Sequence, residues 1–270
     1  MGDHAFISAD IRVEIDQQLD RIETDNDVRI LFAVESGSRA WGFPSPDSDY
    51  DVRFVYVRGL DWYLSIDARR DVIELPISGD LDINGWDLRK ALNLLIKPNP
   101  VLLEWLRSPV VYRTDRVAMD GLTALGERTA HLRPSTHHYL HLCRSQYRRF
   151  IDGKDDVAVK KYFYALRPAL ALMWLRAHPD RPVPMDLPEL RVGLDLSGPV
   201  SEFLDELLRR KAVTRELGAG PRVPALDALI EQAIEVAEAE LATVAPPAES
   251  LFDAANALFR GIVMEGAGCC

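Results

Sequence analysis

Residues Val34–Tyr56 read VESGSRAWGFPSPDSDYDVRFVY, and their interpretation decides the fold. An apolar run, Ile30–Val34, leads into a small turn at Gly37-Ser38, and a second apolar run, Val52–Val57, follows directly on Asp49-Tyr50-Asp51. Both runs have the length and composition of β-strands. Side chains i and i+2 of a strand share a face, so Asp49 and Asp51 present two carboxylates side by side at the mouth of the turn. Like charges held that close repel unless a cation lies between them, and a divalent metal with oxygen ligands meets that need. A turn of small residues that lets a phosphate approach the backbone, facing a carboxylate pair, is what metal-assisted phosphoryl chemistry requires. A Gly-Ser turn or an Asp-x-Asp alone is common; the signal lies in their combination on two successive strands.

On the N-terminal side, residues 8–24 carry Ile11, Ile15, Leu19 and Ile22 at helical spacing behind Ser8 or Asp10 as cap. The first strand spans about 28–35, Phe43–Ser48 is a proline-punctuated loop, and the second strand spans about 50–57. On the C-terminal side, residues 71–77 and 81–86 read as two further strands across a Ser78-Gly79-Asp80 turn. The period then turns helical, with Leu88, Ala91, Leu92 and Leu95 on one face, and Asn99-Pro100 opens a second short helix. A metal pair wants a third carboxylate. Asp82 lies between Leu81 and Ile83, where an unpaired acid is costly to bury. Asp87 is the alternative third acid, although an acid that opens a helix also serves as its N-cap. Asp82 is preferred.

Beyond residue 110 only helical patterns are read, over 114–128, 135–152, 156–177, 199–218, 224–244 and 249–263. The expected division is a catalytic domain over 1–112, an all-α domain over 113–263 and a flexible tail over 264–270. In the 156–177 helix, Phe163, Leu166, Leu170 and Met173 form an apolar stripe, and Lys160, Tyr164 and Arg167 fall on a different face. Two cations and an aromatic ring so spaced can clamp triphosphate oxygens and stack on a base. Arg39, directly after the turn, either touches a phosphate or anchors Glu35 or Asp47.

Of 270 residues, 47% are hydrophobic and 27% charged, with a net charge of −10, which argues against a broad nucleic-acid footprint while leaving room for a local basic patch. The three cysteines offer neither a disulfide framework nor metal-ligand spacing. There is no signal-peptide core and no membrane-spanning run, so a cytoplasmic protein is expected.

Gly37-Ser38 followed by Asp49-x-Asp51 resembles the signature of the DNA-polymerase-β-like nucleotidyltransferase superfamily. Three longer strings, GSRAWGFPSPDSDYDVRFVYV (37–57), DINGWDLRKALNLLIKPNPVLLEWL (82–106) and KKYFYALRPALAL (160–172), resemble its RlaP-type branch, predicted nucleotidyltransferases associated with an RNA-repair pathway. The resemblance implies an α+β fold, a small mixed sheet with flanking helices followed by an all-α C-terminal domain. It implies three acids holding two Mg²⁺, or Mn²⁺ in their place: Asp49, Asp51 and Asp82 or Asp87. It places Gly37 and Ser38 on the triphosphate, and Lys160, Lys161 and Tyr164 in the region of nucleotide contacts. The expected reaction passes a nucleoside monophosphate from a nucleoside triphosphate to an acceptor hydroxyl, with Asp82 as general base. An RNA end, a protein and a small molecule stay open as acceptors, and so does the oligomeric state. The competing reading is a non-catalytic, nucleotide-binding regulatory or antitoxin-like module.

Overall fold

The structure, a computed structural model, describes residues 7–129, 131–196, 198–213, 218–242 and 250–267. They fall into two compact units that interleave in sequence: residues 7–40, 49–129 and 250–267 make one, and residues 41–48 and 131–242 the other.

The first unit opens with α1 (Ala9–Asn26), capped by the Ser8 hydroxyl accepting from Ile11 N and closed by Asp27 in the left-handed region. Then come β1 (Val28–Glu35), β2 (Tyr50–Arg58), the short α2 (Leu60–Tyr63), β3 (Val72–Glu74) and β4 (Leu81–Asp87). Next are α3 (Leu88–Ile96), α4 (Pro100–Trp105), β5 (Val111–Thr114) and α5 (Arg116–Glu127). The five strands form one mixed sheet, β3-β4-β2-β1-β5, in which β2 and β4 run parallel and the other pairs antiparallel. One sheet face packs Ile30, Phe54, Tyr56 and Ile83 against Ile15, Leu19 and Ile22 of α1. The other packs Phe32, Val34, Val55 and Val57 against Leu88, Leu92, Leu102 and Leu122. Within the parallel pair Phe54 stands opposite Gly85, and a Cβ on Gly85 would sit 2.3 Å from the Phe54 ring, so the two strands close only over a glycine.

The second unit contains α6 (Leu132–Phe150), β6 (Asp156–Ala158), α7 (Val159–Ala177), α8 (Leu187–Val192), α9 (Gly198–Val213), β7 (Ala219–Pro221) and α10 (Pro224–Leu241). Tyr139, Cys143, Phe163, Leu166, Leu170, Leu204 and Ile230 lie in its core, and Phe43 of the 41–48 loop is buried among them. The last helix, α11 (Phe252–Ala267), belongs to the first unit, where Leu251, Ala255, Ile262 and Val263 complete the α3–α5 side of the core.

Several sequence expectations are corrected here. Strands occur after residue 110: β5 is an edge strand on β1, and β6 pairs with β7 across 60 intervening residues, each strand too short for periodicity to register. α8 is a further helix where no element was read. A boundary at 112/113 would cut through β5, and neither α5 nor α11 goes with the helical unit. Residues 264–267 are helical rather than tail, and 268–270 lie outside the described residues.

Candidate active site

Asp51 is the second residue of β2 and Asp82 the second of β4, and the parallel register sets them directly opposite each other. Neighbouring strands lie about 4.8 Å apart, so the two carboxylates rise from one face as a pair. Asp49 precedes β2 by one residue and is exposed. Arg53, two residues on from Asp51, spans the pair: its Nη2 donates to Asp51 Oδ1 at 3.0 Å and Asp82 Oδ2 at 2.7 Å, and Nη1 donates to the Asp82 carbonyl at 2.8 Å. Burial raises the pKa of Asp51; Arg53 works against that shift, and the charges of Asp82 and Asp49 add to it. The charges of Asp49 and Asp82 thus both bear on Asp51 at the head of two parallel strands, and the Arg53 guanidinium is the counter-charge of the Asp51–Asp82 pair.

The turn beside them is built to fit. A Cβ on Gly37 would lie 1.9 Å from Asp51 Oδ2, so no other residue can stand there without displacing that carboxylate. Glu35, fully buried, ties the two strands together: its Oε1 accepts from Gly37 N at 3.3 Å and Asp51 N at 2.9 Å, and Oε2 accepts from the Tyr112 hydroxyl at 2.5 Å. Burial raises the Glu35 pKa, opposed by those donors. Ser36 N donates to the Asp51 carbonyl at 2.9 Å, and Trp105 Nε1 donates to the Ser36 hydroxyl at 3.0 Å. Ser38 is half-buried, and the Arg39 guanidinium lies over the Tyr50 ring, 4.0 Å from its centroid.

Asp87 is placed differently. It sits at the far end of β4 from Asp82, buried, with its carboxylate accepting from Arg89 N at 2.8 Å as the α3 cap and from the Tyr63 hydroxyl at 2.9 Å. Both contacts hold a helix end rather than joining the pair at Asp51.

In the helical unit, Lys160 is exposed and Lys161 half-buried, its ammonium over the Phe150 and Tyr164 rings at 4.2 and 5.2 Å. Arg167 does not share that surface: it is buried, stacks on Trp41 at 4.8 Å and donates to the Met185 carbonyl at 3.1 Å. A residue the sequence reading passed over stands out more. Lys211, near the end of α9, is only 4% exposed, its ammonium over the Phe43 and Phe163 rings at 4.4 and 5.2 Å. Burial and the charge of Lys160 push it down to about 8, with Asp47 pulling the other way. A cavity of about 660 Å³ in this unit, lined by residues of α6, α7 and α10, is mostly apolar and contains none of the expected site residues.

Whether a divalent ion suits the site is answered by its donors. Among the described residues no three His, Cys, Asp or Glu side chains are gathered around one point. Arg53 lies where a cation must be: it is the positive charge that the Asp51–Asp82 pair requires, and the carboxylate oxygens are hard donors that suit Mg²⁺.

Residues 11–261 match the RlaP family, described as the RNA repair pathway DNA polymerase beta family. The chain belongs to that family. It is 45% identical over 227 residues to the uncharacterized protein YcgL of Bacillus subtilis (strain 168), covering 83% of this chain and 86% of that one. Among solved structures, a nucleotidyltransferase-like protein from Exiguobacterium sibiricum 255-15 aligns over 93% of this chain and 80% of its own, at 11% identity and a TM-score of 0.28. The α+β architecture expected of this RlaP member is the one observed. Among its described residues no helix is long and apolar enough to cross a membrane.

Proposed function

We propose that this chain is a nucleotidyltransferase that passes a nucleoside monophosphate from a nucleoside triphosphate to an acceptor hydroxyl and releases pyrophosphate. The observation that carries the reading is Asp51 opposite Asp82 on parallel strands, with Asp49 adjacent and a turn that accepts only glycine against Asp51. Membership of a polymerase-β family supports the same chemistry. Asp49, Asp51 and Asp82 would hold Mg²⁺, or Mn²⁺ in its place. Such ions, when bound, neutralise the triphosphate and lower the pKa of the attacking hydroxyl. The chain's own part begins at the turn, where the Ser38 backbone N–H and hydroxyl donate to triphosphate oxygens beside Gly37, whose missing side chain leaves room for them. Asp82 takes the proton of the acceptor hydroxyl. The acceptor oxygen then bonds to the α-phosphorus as the bond to the pyrophosphate oxygen breaks. Glu35 holds the turn and β2 in register throughout. Lys160, Lys161 and Tyr164 are proposed nucleotide contacts on the strength of the sequence, whereas Arg167, buried as it is, is assigned to packing. The family description supports an RNA end as the first acceptor to try; Asp87 is assigned to capping.

The test incubates the full chain with each labelled nucleoside triphosphate, Mg²⁺ and cell extract, and follows pyrophosphate release and the fate of the label under ribonuclease or protease. Asp51→Asn and Asp82→Asn are expected to lower release by at least about a hundredfold while leaving the circular dichroism spectrum unchanged. Nucleotide binding without release for any acceptor would instead establish the regulatory module.

A further inference from the structure

At the end of β4 opposite Asp82, five residues along the strand and so about 16 Å away, the sheet unit has a cavity of about 580 Å³, within the size range of small-ligand sites. Its walls are the 62–71 segment and the outer face of α3. Five cations line it, Arg69, Arg70, Arg89, Lys90 and Lys97, against three acids, Asp67, Asp71 and Asp87, a surplus of two positive charges in a chain of net charge −10.

The acids are already engaged. Asp67 accepts twice from Arg69, at 2.8 and 3.3 Å, Asp71 pairs with Lys90 at 3.1 Å, and Asp87 is committed to the α3 cap and to Tyr63. Arg70 pairs with Glu74. Among the described residues no carboxylate lies at ion-pair distance from Arg89 or Lys97. Two of the guanidiniums are positioned over aromatic rings: Arg69 stands over Trp62 at 4.4 Å, and Arg89 over Tyr63 at 4.9 Å and Phe259 at 5.5 Å. A planar fork fixed in this way binds the oxygens of a phosphate in pairs and loses little freedom in doing so. The exposed pairs to Asp67 and Asp71 are weak enough for a phosphate to displace.

We propose that this cavity is a second binding site, distinct from the carboxylate cluster, for the phosphorylated end of an oligonucleotide. A terminal phosphate carries about 1.5 to 2 negative charges, against one for each internal diester, and answers the two lining cations, Arg89 and Lys97, that no carboxylate among the described residues pairs. The acidity of the rest of the chain confines a strand to this basic pocket rather than spreading it over the surface. The site does not depend on nucleotidyl transfer, and its test is a binding measurement made without turnover.

Fluorescence anisotropy with a short labelled oligoadenylate, the full chain and EDTA reads it directly. The terminally phosphorylated strand is expected to bind at least about tenfold more tightly than the hydroxyl-ended one, with a log–log salt slope of about −0.7 per phosphate contact. Arg89→Gln with Lys97→Gln should weaken the phosphorylated strand about tenfold and flatten that slope; Lys97→Gln alone, at an exposed helix end, should do so in smaller measure without touching the fold. Asp82→Asn should leave binding unchanged. Equal affinity for the two strand ends, or an unaltered affinity in both variants, would overturn the proposal. Adenosine monophosphate that competes as well as the phosphorylated strand would overturn the oligonucleotide as its ligand.

Discussion

Gly37 and Lys211 show how a single side chain, absent or present, constrains its surroundings. Gly37 has no Cβ because the Asp51 carboxylate stands 1.9 Å from where one would be. Gly37→Ala therefore moves either the turn or the carboxylate. We expect pyrophosphate release to fall at least about a hundredfold while Tm drops by roughly 2–12 °C, as for a local strain of about 1–3 kcal/mol. Retained activity would show that the turn can give way without cost to the site. Lys211 poses the opposite problem, a charge kept among rings. Its folded pKa of about 8 lies below the ordinary 10.5. The shift makes the charged form cost about 3 kcal/mol in the folded state. Below pH 8 both folded and unfolded chains carry the proton, so the penalty is fully present. Between pH 8 and 10.5 the folded chain has shed it and the unfolded chain has not, so stability rises with pH. Lys211→Met removes the penalty at every pH. In urea unfolding the variant should exceed the parent in stability by up to about 3 kcal/mol at pH 7 and by much less at pH 10. A difference that is the same at both pH values would mean that Lys211 is not a desolvated ammonium.

β4 carries both candidates for the third acid, one near each end. Asp82 faces Asp51 across the parallel pair, whereas Asp87 caps α3. The two substitutions should separate cleanly. Asp82→Asn is expected to remove activity and leave stability nearly unchanged. Asp87→Ala should cost about 1–2 kcal/mol for the lost cap and leave kcat within a fewfold of the parent. The reverse pattern would make Asp87 the functional acid. This ambiguity was legible in the sequence, as were β1, β2, β4 and the Gly-Ser turn, because each is set by neighbours in the chain. Glu35 was not, since its function depends on Tyr112, 77 residues away, and an acid at the end of an apolar strand has no local mark of burial. β5, β6 and β7 have four, three and three residues, too few for a period-two pattern to be told from loop. Arg167 was read as part of a nucleotide-clamping face because helical spacing from Lys160 gives an angle around the helix, not what covers it; the Trp41 ring and the Met185 carbonyl do.

At the scale of the whole molecule, the chain leaves each compact unit and re-enters it. Residues 41–48 join the helical unit between two pieces of the sheet unit, and α11 joins the sheet unit after the helical unit is complete. By composition, α11 reads as the end of an all-α domain. By packing, it closes the sheet's core. Leu251, Ile262 and Val263 are buried there, Phe259 meets the Tyr63 ring edge-on at 4.9 Å, and Arg29 donates to the Ile262 carbonyl at 3.2 Å. Burying three such aliphatic side chains contributes on the order of 5–9 kcal/mol gross, comparable with the 5–15 kcal/mol by which a typical domain is stable at all. A chain ending at Leu241 should therefore fail in the unit far away in sequence rather than in the one it is contiguous with. Hydrogen exchange on the truncated chain is expected to show amides of β1 and β2 losing protection while those of α6 and α7 keep theirs, and pyrophosphate release should vanish with the sheet. If instead α6 and α7 lose protection and the sheet does not, α11 belongs to the helical unit, and the division of the chain near residue 112 would be the correct one.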